Sequence, residues 1–278
     1  MSDFRFLAPR NFSDLRNLYS SAEPFPHIEI DNFLIPSVAL TGSQKFPSQR
    51  ESSWVHYSHF NEDKCAITNV SRMPDFFREL IAELNSHHFI ESLEKLTGVS
   101  NLKADPTLQG GGLHLTKRGG FLNIHADFTA HPIQRSWQRQ VNLLLYFNQN
   151  WTESYEGHLE LWSRDMKNCV RKISPVLNKC VIFNTDTDSF HGVPEPLNCP
   201  PEITRNSLAL YFYTETKTGT KAKLRATNYR ARPNQKDKKI IIWLDKVLVA
   251  TYTRTKSKLG ISDQTIGVLL KKLRKNKD

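Results

Sequence analysis

The chain has 278 residues, 38% of them hydrophobic and 24% charged, enough for one large domain or two modest ones around a substantial core. Its longest apolar stretches, Val141 to Phe147 (broken by Asn142) and Ile240 to Leu244, fall far short of the roughly 18 to 20 residues of a membrane span, which excludes a helical transmembrane protein. The formal charge of +10 is unevenly held: residues 1–216 carry 20 lysines and arginines against 24 acids, and residues 217–278 carry 18 against 4.

The opening MSDFRFLAPRNFSDL has an acid at Asp3 and no apolar run followed by small residues. It does not read as a secretory signal, and a cytoplasmic location is expected. Pro24 to Ser37 alternates Ile28 and Ile30 with Glu29 and Asp31 before a Pro turn, the pattern of a half-buried strand. Pro74 to Asn85 places Phe77, Leu80, Ile81 and Leu84 at helical spacing, and His88 to Leu96 repeats the pattern with Ile90, Leu93 and Leu96 before Gly98. From Gly110 to Thr214 the character changes to about eight short β-rich runs separated by turn residues, the spacing of an antiparallel barrel or double-sheet jelly roll. Cys65, Cys169, Cys180 and Cys199 form no CxxC pair and read as free thiols.

After residue 216 the sequence turns basic, then regains apolar periodicity in Ile240 to Tyr252 and in Ser262 to Leu273, where Ser262 is a candidate N-cap. The expected fold is therefore mainly β with flanking helices. Residues 1–216 are expected to form an antiparallel barrel or jelly roll with N-terminal helices, and residues 217–278 a basic helical extension. That extension is either a solvated face or a contact for a polyanion or membrane surface, and it carries no specific nucleic-acid motif.

The chemistry is concentrated in Leu122-Asn123-Ile124-His125-Ala126-Asp127-Phe128. Residues i and i+2 of a strand share a face, so His125 and Asp127 project together. Two imidazoles and one carboxylate on one face of an octahedron suit non-haem iron(II), and a third ligand must come from a distant strand. His191 lies 64 residues on, in Phe190-His191-Gly192-Val193, and Arg205-Asn206-Ser207 follows. This order of HxD, distal His and RxS resembles the 2-oxoglutarate and Fe(II)-dependent oxygenases.

The resemblance is closer to the prolyl 4-hydroxylase-like branch and covers Pro24 to Thr214. It rests on PFPHIEIDNFL, the segment around Leu122 to Phe128, RQVNLLLYFN (Arg139 to Asn148), GHLELW (Gly157 to Trp162) and FHGVPEPL (Phe190 to Leu197). It implies a double-stranded β-helix with His125, Asp127 and His191 as iron ligands and Arg205 as anchor of the distal carboxylate of 2-oxoglutarate. Tyr146 and Ser207 match further co-substrate contacts. The activity implied is a dioxygenase that hydroxylates an unactivated C–H bond with Fe(II), 2-oxoglutarate and O2, together with ascorbate. Two departures stand out: many relatives have two glycines where this chain has Glu156-Gly157, and collagen-type enzymes use Lys where this chain has Arg205.

The substrate stays open between a peptide and a small molecule such as a free amino acid or glycan. A non-catalytic jelly-roll binding module and a nucleic-acid demethylase are the other readings. His27 with Glu29, and His158 with Glu160, repeat the HxD geometry but read as ordinary strand-face and loop pairs. His114 and His131 are structural or pocket-lining, Arg139 reads as structural, and Trp54, Tyr57 and Trp137 either stack on substrate or cap the core.

Overall fold

The computed structural model describes residues 4–216, 222, 225–235, 239–244 and 247. Its helices are α1 (Arg16–Ser20), α2 (Pro36–Gln44), α3 (Asp75–Leu84) and α4 (His87–Thr97). The early strands are β1 (His27–Ile30), β2 (Val55–His59), β3 (Glu62–Ile67) and β4 (Lys103–Ala104). The eight runs expected between Gly110 and Thr214 are all strands: β5 (Gly112–Thr116), β6 (Phe121–Ala126), β7 (Trp137–Tyr146), β8 (Leu159–Trp162), β9 (Cys169–Ile173), β10 (Cys180–Asn184), β11 (His191–Val193) and β12 (Arg205–Glu215). A short β13 (Asn228–Tyr229) follows.

The strands form one curled sheet in the order β1-β10-β7-β12-β5-β3-β6-β11-β8-β9, with antiparallel pairings throughout. This is the jelly roll the sequence leads one to expect. Strand alternation divides its residues between two environments. On β7 and β12, Tyr146 stands opposite Ser207 and Leu144 opposite Ala209, while Leu145 and Leu208 point the other way.

The second face, with Leu143, Leu145, Leu208, Leu210 and Phe212, packs under α3 and α4 in one continuous core. The helices supply Phe77, Leu80, Leu84, Phe89, Leu93 and Leu96, each 0% exposed, and each such side chain contributes about 1.5–3 kcal/mol on burial. Ser86 caps α4 by accepting from the Phe89 N–H. Gly98 ends it with φ 74, a left-handed stop that favours glycine. The other face, carrying Tyr146 and Ser207, is left for the interior of the roll.

Besides the short α1 and β4, three features were not anticipated. The β2–β3 hairpin has its charged residues in the strands themselves, and α2 has too few apolar positions to show a helical stripe. Tertiary contact holds α2: at Gly42 an added Cβ would lie 2.5 Å from the Phe147 ring. Third, β13 draws part of the basic stretch onto the edge of β6. Residues 239–244 are helical; the expected Ser262 to Leu273 helix lies outside the described residues. Among those described, no helix is long and apolar enough to cross a membrane. All four cysteines are free, three of them buried and Cys169 half-buried.

Candidate metal centre and co-substrate pocket

His125 and His191, far apart in the chain, stand directly opposite each other on the antiparallel neighbours β6 and β11. Their rings lie 4.5 Å apart, and Asp127 follows His125 by two residues. One ligand atom from each of His125, Asp127 and His191 falls within 4.8 Å of the others, and all three residues are buried.

The orientation of the rings suits a metal. Each Nδ1 lies 2.9 Å from a backbone carbonyl two residues earlier, Asn123 O for His125 and Ser189 O for His191. A carbonyl only accepts, so Nδ1 carries the proton and Nε2 keeps its lone pair. These Nε2 atoms lie 3.6 Å and 3.5 Å from the Asp127 carboxylate oxygens. Burial pushes the His191 pKa down to about 4, so its imidazole is neutral and ready to ligate near neutral pH.

Asp127 is held from behind. Asn142 donates to its Oδ2 at 2.8 Å, and Arg139 Nη2 lies 3.1 Å from the same oxygen. Arg139 is itself fixed by donating from Nε to Asn142 Oδ1 at 2.8 Å and by stacking on the Tyr211 ring. Against burial, which would raise it, the Arg139 guanidinium and then His191 hold the Asp127 carboxyl well below the usual range. The structural role expected of Arg139 is thus a specific one: it fixes a candidate ligand. Arg139 and Asn142 sit three apart where β7 passes a bulge, so strand alternation alone gave no sign of their meeting.

A second buried arginine faces the interior from β12. Arg205 donates from Nε to Gly157 O at 2.7 Å and from Nη2 to the Tyr146 hydroxyl at 3.4 Å. Among the described residues no carboxylate forms an ion pair with it, and burial lowers its pKa. A desolvated cation without a counter-ion is costly unless an anion arrives, and a planar guanidinium suits a carboxylate. Burial raises the Tyr146 pKa, so its hydroxyl stays protonated and able to donate. Ser207 is buried on the same face as Arg205, opposite Tyr146 and His114.

The Glu156-Gly157 turn explains the missing second glycine. Gly157 (φ 79) admits Arg205, whose Cδ would be 3.2 Å from an added Cβ. Glu156 takes φ 57, ψ −147, a region that glycine fills more easily.

Sequence reasoning missed a polar line on β3. Lys64 Nζ lies 3.0 Å from Glu62 Oε2, and His59 Nε2 lies 2.8 Å from Glu62 Oε1. Alternation puts Glu62 and Lys64 on the face of Ala66, which pairs with His114. Burial, reinforced by Lys64, pushes the His114 pKa down to about 3. The alternating acid and base in Glu62-Asp63-Lys64 was the available signal, but it reads equally as a solvated strand.

The remaining candidates lie elsewhere. Glu29 pairs with Arg171 and Lys179, and His158 with Glu153. His131 is tied to buried Asp105 at 3.2 Å. Trp54 stacks on Phe46 beside the core, and Trp137 lies beside Tyr213 and His131.

Residues 108–213 match the model of the 2OG-Fe(II) oxygenase superfamily; no curated protein is matched by the sequence. Among solved structures, the chain is similar to a prolyl-4-hydroxylase of Pseudomonas putida (14% identity, 74% of this chain and 100% of that one, TM-score 0.49). It is also similar to a Trichoplax adhaerens prolyl hydroxylase in complex with a hypoxia inducible factor peptide fragment (19% identity, 72% and 88%, TM-score 0.47). A third is HygX of Streptomyces hygroscopicus, with nickel, 2-oxoglutarate and hygromycin B bound (8% identity, 79% and 96%, TM-score 0.46).

Proposed function

We propose that this chain, placed in the 2OG-Fe(II) oxygenase superfamily by residues 108–213, binds iron through His125, Asp127 and His191 and 2-oxoglutarate through Arg205. The enzyme is a 2-oxoglutarate-dependent dioxygenase that hydroxylates a C–H bond, with Fe(II), 2-oxoglutarate and O2 as cofactor and co-substrates. The observation that carries the site assignment is the meeting of three ligand atoms within 4.8 Å, with both imidazoles turned by their backbone carbonyls so that Nε2 faces the centre.

Iron(II) supplies the redox chemistry when bound: 2-oxoglutarate and O2 give succinate and CO2, and one oxygen atom enters the substrate C–H bond. The residues supply position. The carbonyls of Asn123 and Ser189 keep the two imidazoles in one tautomer, and Asn142 and Arg139 hold Asp127 ionised. Arg205 and Tyr146 take the distal carboxylate, with buried Ser207 at its side. Asp127 supports hydroxylation over halogenation, because related halogenases replace that carboxylate by a small residue to admit halide.

The substrate in this reading is a peptide or small molecule carrying a proline-like unactivated carbon, supported by the run of local matches from Pro24 to Thr214. The same reading places the protein in the cytoplasm, gives it an ascorbate requirement, and leaves residues 217–278 a basic extension that is either a solvated face or a contact for a polyanion or membrane surface. Anaerobic titration with Fe(II) and 2-oxoglutarate tests the core of the proposal. The visible charge-transfer band of a chelated 2-oxo acid should develop, and succinate should form when O2 is admitted. No band with wild-type protein would sink the oxygenase site.

A further inference from the structure

Strand β6 pairs with β11 on one side, but on the other it meets β3 only through Phe121 and Leu122. Asn123 N–H then donates to Asn61 O in the β2–β3 turn at 2.8 Å, and from Ile124 on that edge, beside the proposed metal ligands, would be bare without a further neighbour. The chain's own residues 225–230 cover it. Thr129 N–H donates to Arg225 O at 3.1 Å, Arg225 N–H donates to the Thr129 hydroxyl at 3.0 Å, and Arg230 N–H donates to Ile124 O at 2.8 Å. Between these bonds β13 lies antiparallel to β6, with Asn228 opposite Ala126 and Tyr229 opposite His125.

Tyr229 joins two spaces. Its ring lies 5.4 Å from the His125 ring and 6.2 Å from the His59 ring, and the residue is 7% exposed. It also lines a cavity of about 380 Å³ together with Phe190, Arg230, Ile242 and Trp243. One side chain therefore touches a candidate ligand and walls a cavity large enough for a small-molecule group. The segment that carries it is a two-residue strand at a sheet edge, and short edge elements open at lower cost than the core. Further along, Arg232 pairs with Glu195 and Asn61 Nδ2 lies 3.5 Å from Ile242 O, so the segment stays tethered if β13 lifts.

We propose that Tyr229 is the access-controlling residue of the site: β13 leaves the edge of β6 to connect the outer cavity with the metal pocket, then returns to close it. The inference rests on the metal reading above and concerns who reaches that metal and how fast. A gate changes the rates of entry and exit together, whereas a residue that merely completes the binding wall changes exit alone.

The test is stopped-flow mixing of the full chain, loaded anaerobically with Fe(II), against 2-oxoglutarate, following the chelate band. In Tyr229→Gly, association and dissociation should both accelerate by about tenfold with little change in Kd. Should Tyr229→Gly not fold, Thr129→Val, which removes the hydroxyl that accepts from Arg225 N–H, should accelerate both rates in the same direction by a smaller factor. An unchanged association rate, or a faster dissociation alone with a weaker Kd, overturns the gate. Absence of the band in wild type overturns the metal reading instead, so the two failures are told apart.

Discussion

Two arginines are buried inside this barrel, and they are opposites. Arg139 has its anion built in: Asp127 lies 3.1 Å away, and against the cost of burial its charge is reinforced. Among the described residues Arg205 has only a carbonyl and a phenol as hydrogen-bond partners, and burial works against its charge. A folded chain tolerates a desolvated cation without a counter-ion at a site that something else completes. The contrast thus separates a group that supports the machinery from one that awaits a ligand.

The contrast can be broken at several points, beginning with the largest effect. Asp127→Ala removes a proposed metal ligand and orphans Arg139; the chelate band and succinate formation should fall to background while circular dichroism reports a folded chain. Next comes the stability of the metal-free protein. Arg139→Met leaves Asp127 charged and buried without its cation and should cost about 3–5 kcal/mol, read as a lower midpoint in urea. Arg205→Met removes a cation that has no anion, so its midpoint should stay or rise. Equal losses in the two variants would erase the distinction.

Arg205→Ala should instead raise the 2-oxoglutarate requirement by on the order of 100-fold, the cost of one buried charge-assisted pair. Arg205→Lys should fall between, since it keeps the charge and loses the fork. The most gradual effect is a slope with pH, small over any one pH unit. His191 and His114 have folded-state pKa values near 4 and 3, below the ordinary 6.5. The unfolded chain therefore binds more protons between these limits, and the metal-free protein loses stability as pH falls from 6.5 towards 3 to 4. Each group contributes about 1.4 kcal/mol per pH unit at most. His114→Gln should flatten the slope of midpoint against pH, and an unchanged slope would remove His114 from the account.

Much of this was legible in the sequence because the signals are local and repeated. The eight runs from Gly112 to Glu215 carry their own β-pattern, and His125, Asp127 and His191, picked out by their order along the chain, come together on β6 and β11 and just beyond β6. The parts that were not legible depend on partners far away in the chain. Nothing near Arg139 announces that a bulge will turn it onto Asp127. The charged β3 is a strand because β5 and β6 need a neighbour, and β13 has no pattern at two residues; each is specified by an open edge elsewhere.

The four free cysteines bear on how such a protein lasts. Ferrous iron idling in air yields peroxide, which attacks thiolates far faster than thiols. Burial raises the pKa of Cys65, Cys180 and Cys199, and even half-buried Cys169 is pushed up to about 11. Every sulfur in that set is kept in its inert protonated form at physiological pH, so a chain that handles oxygen at its centre offers its own by-products little to burn.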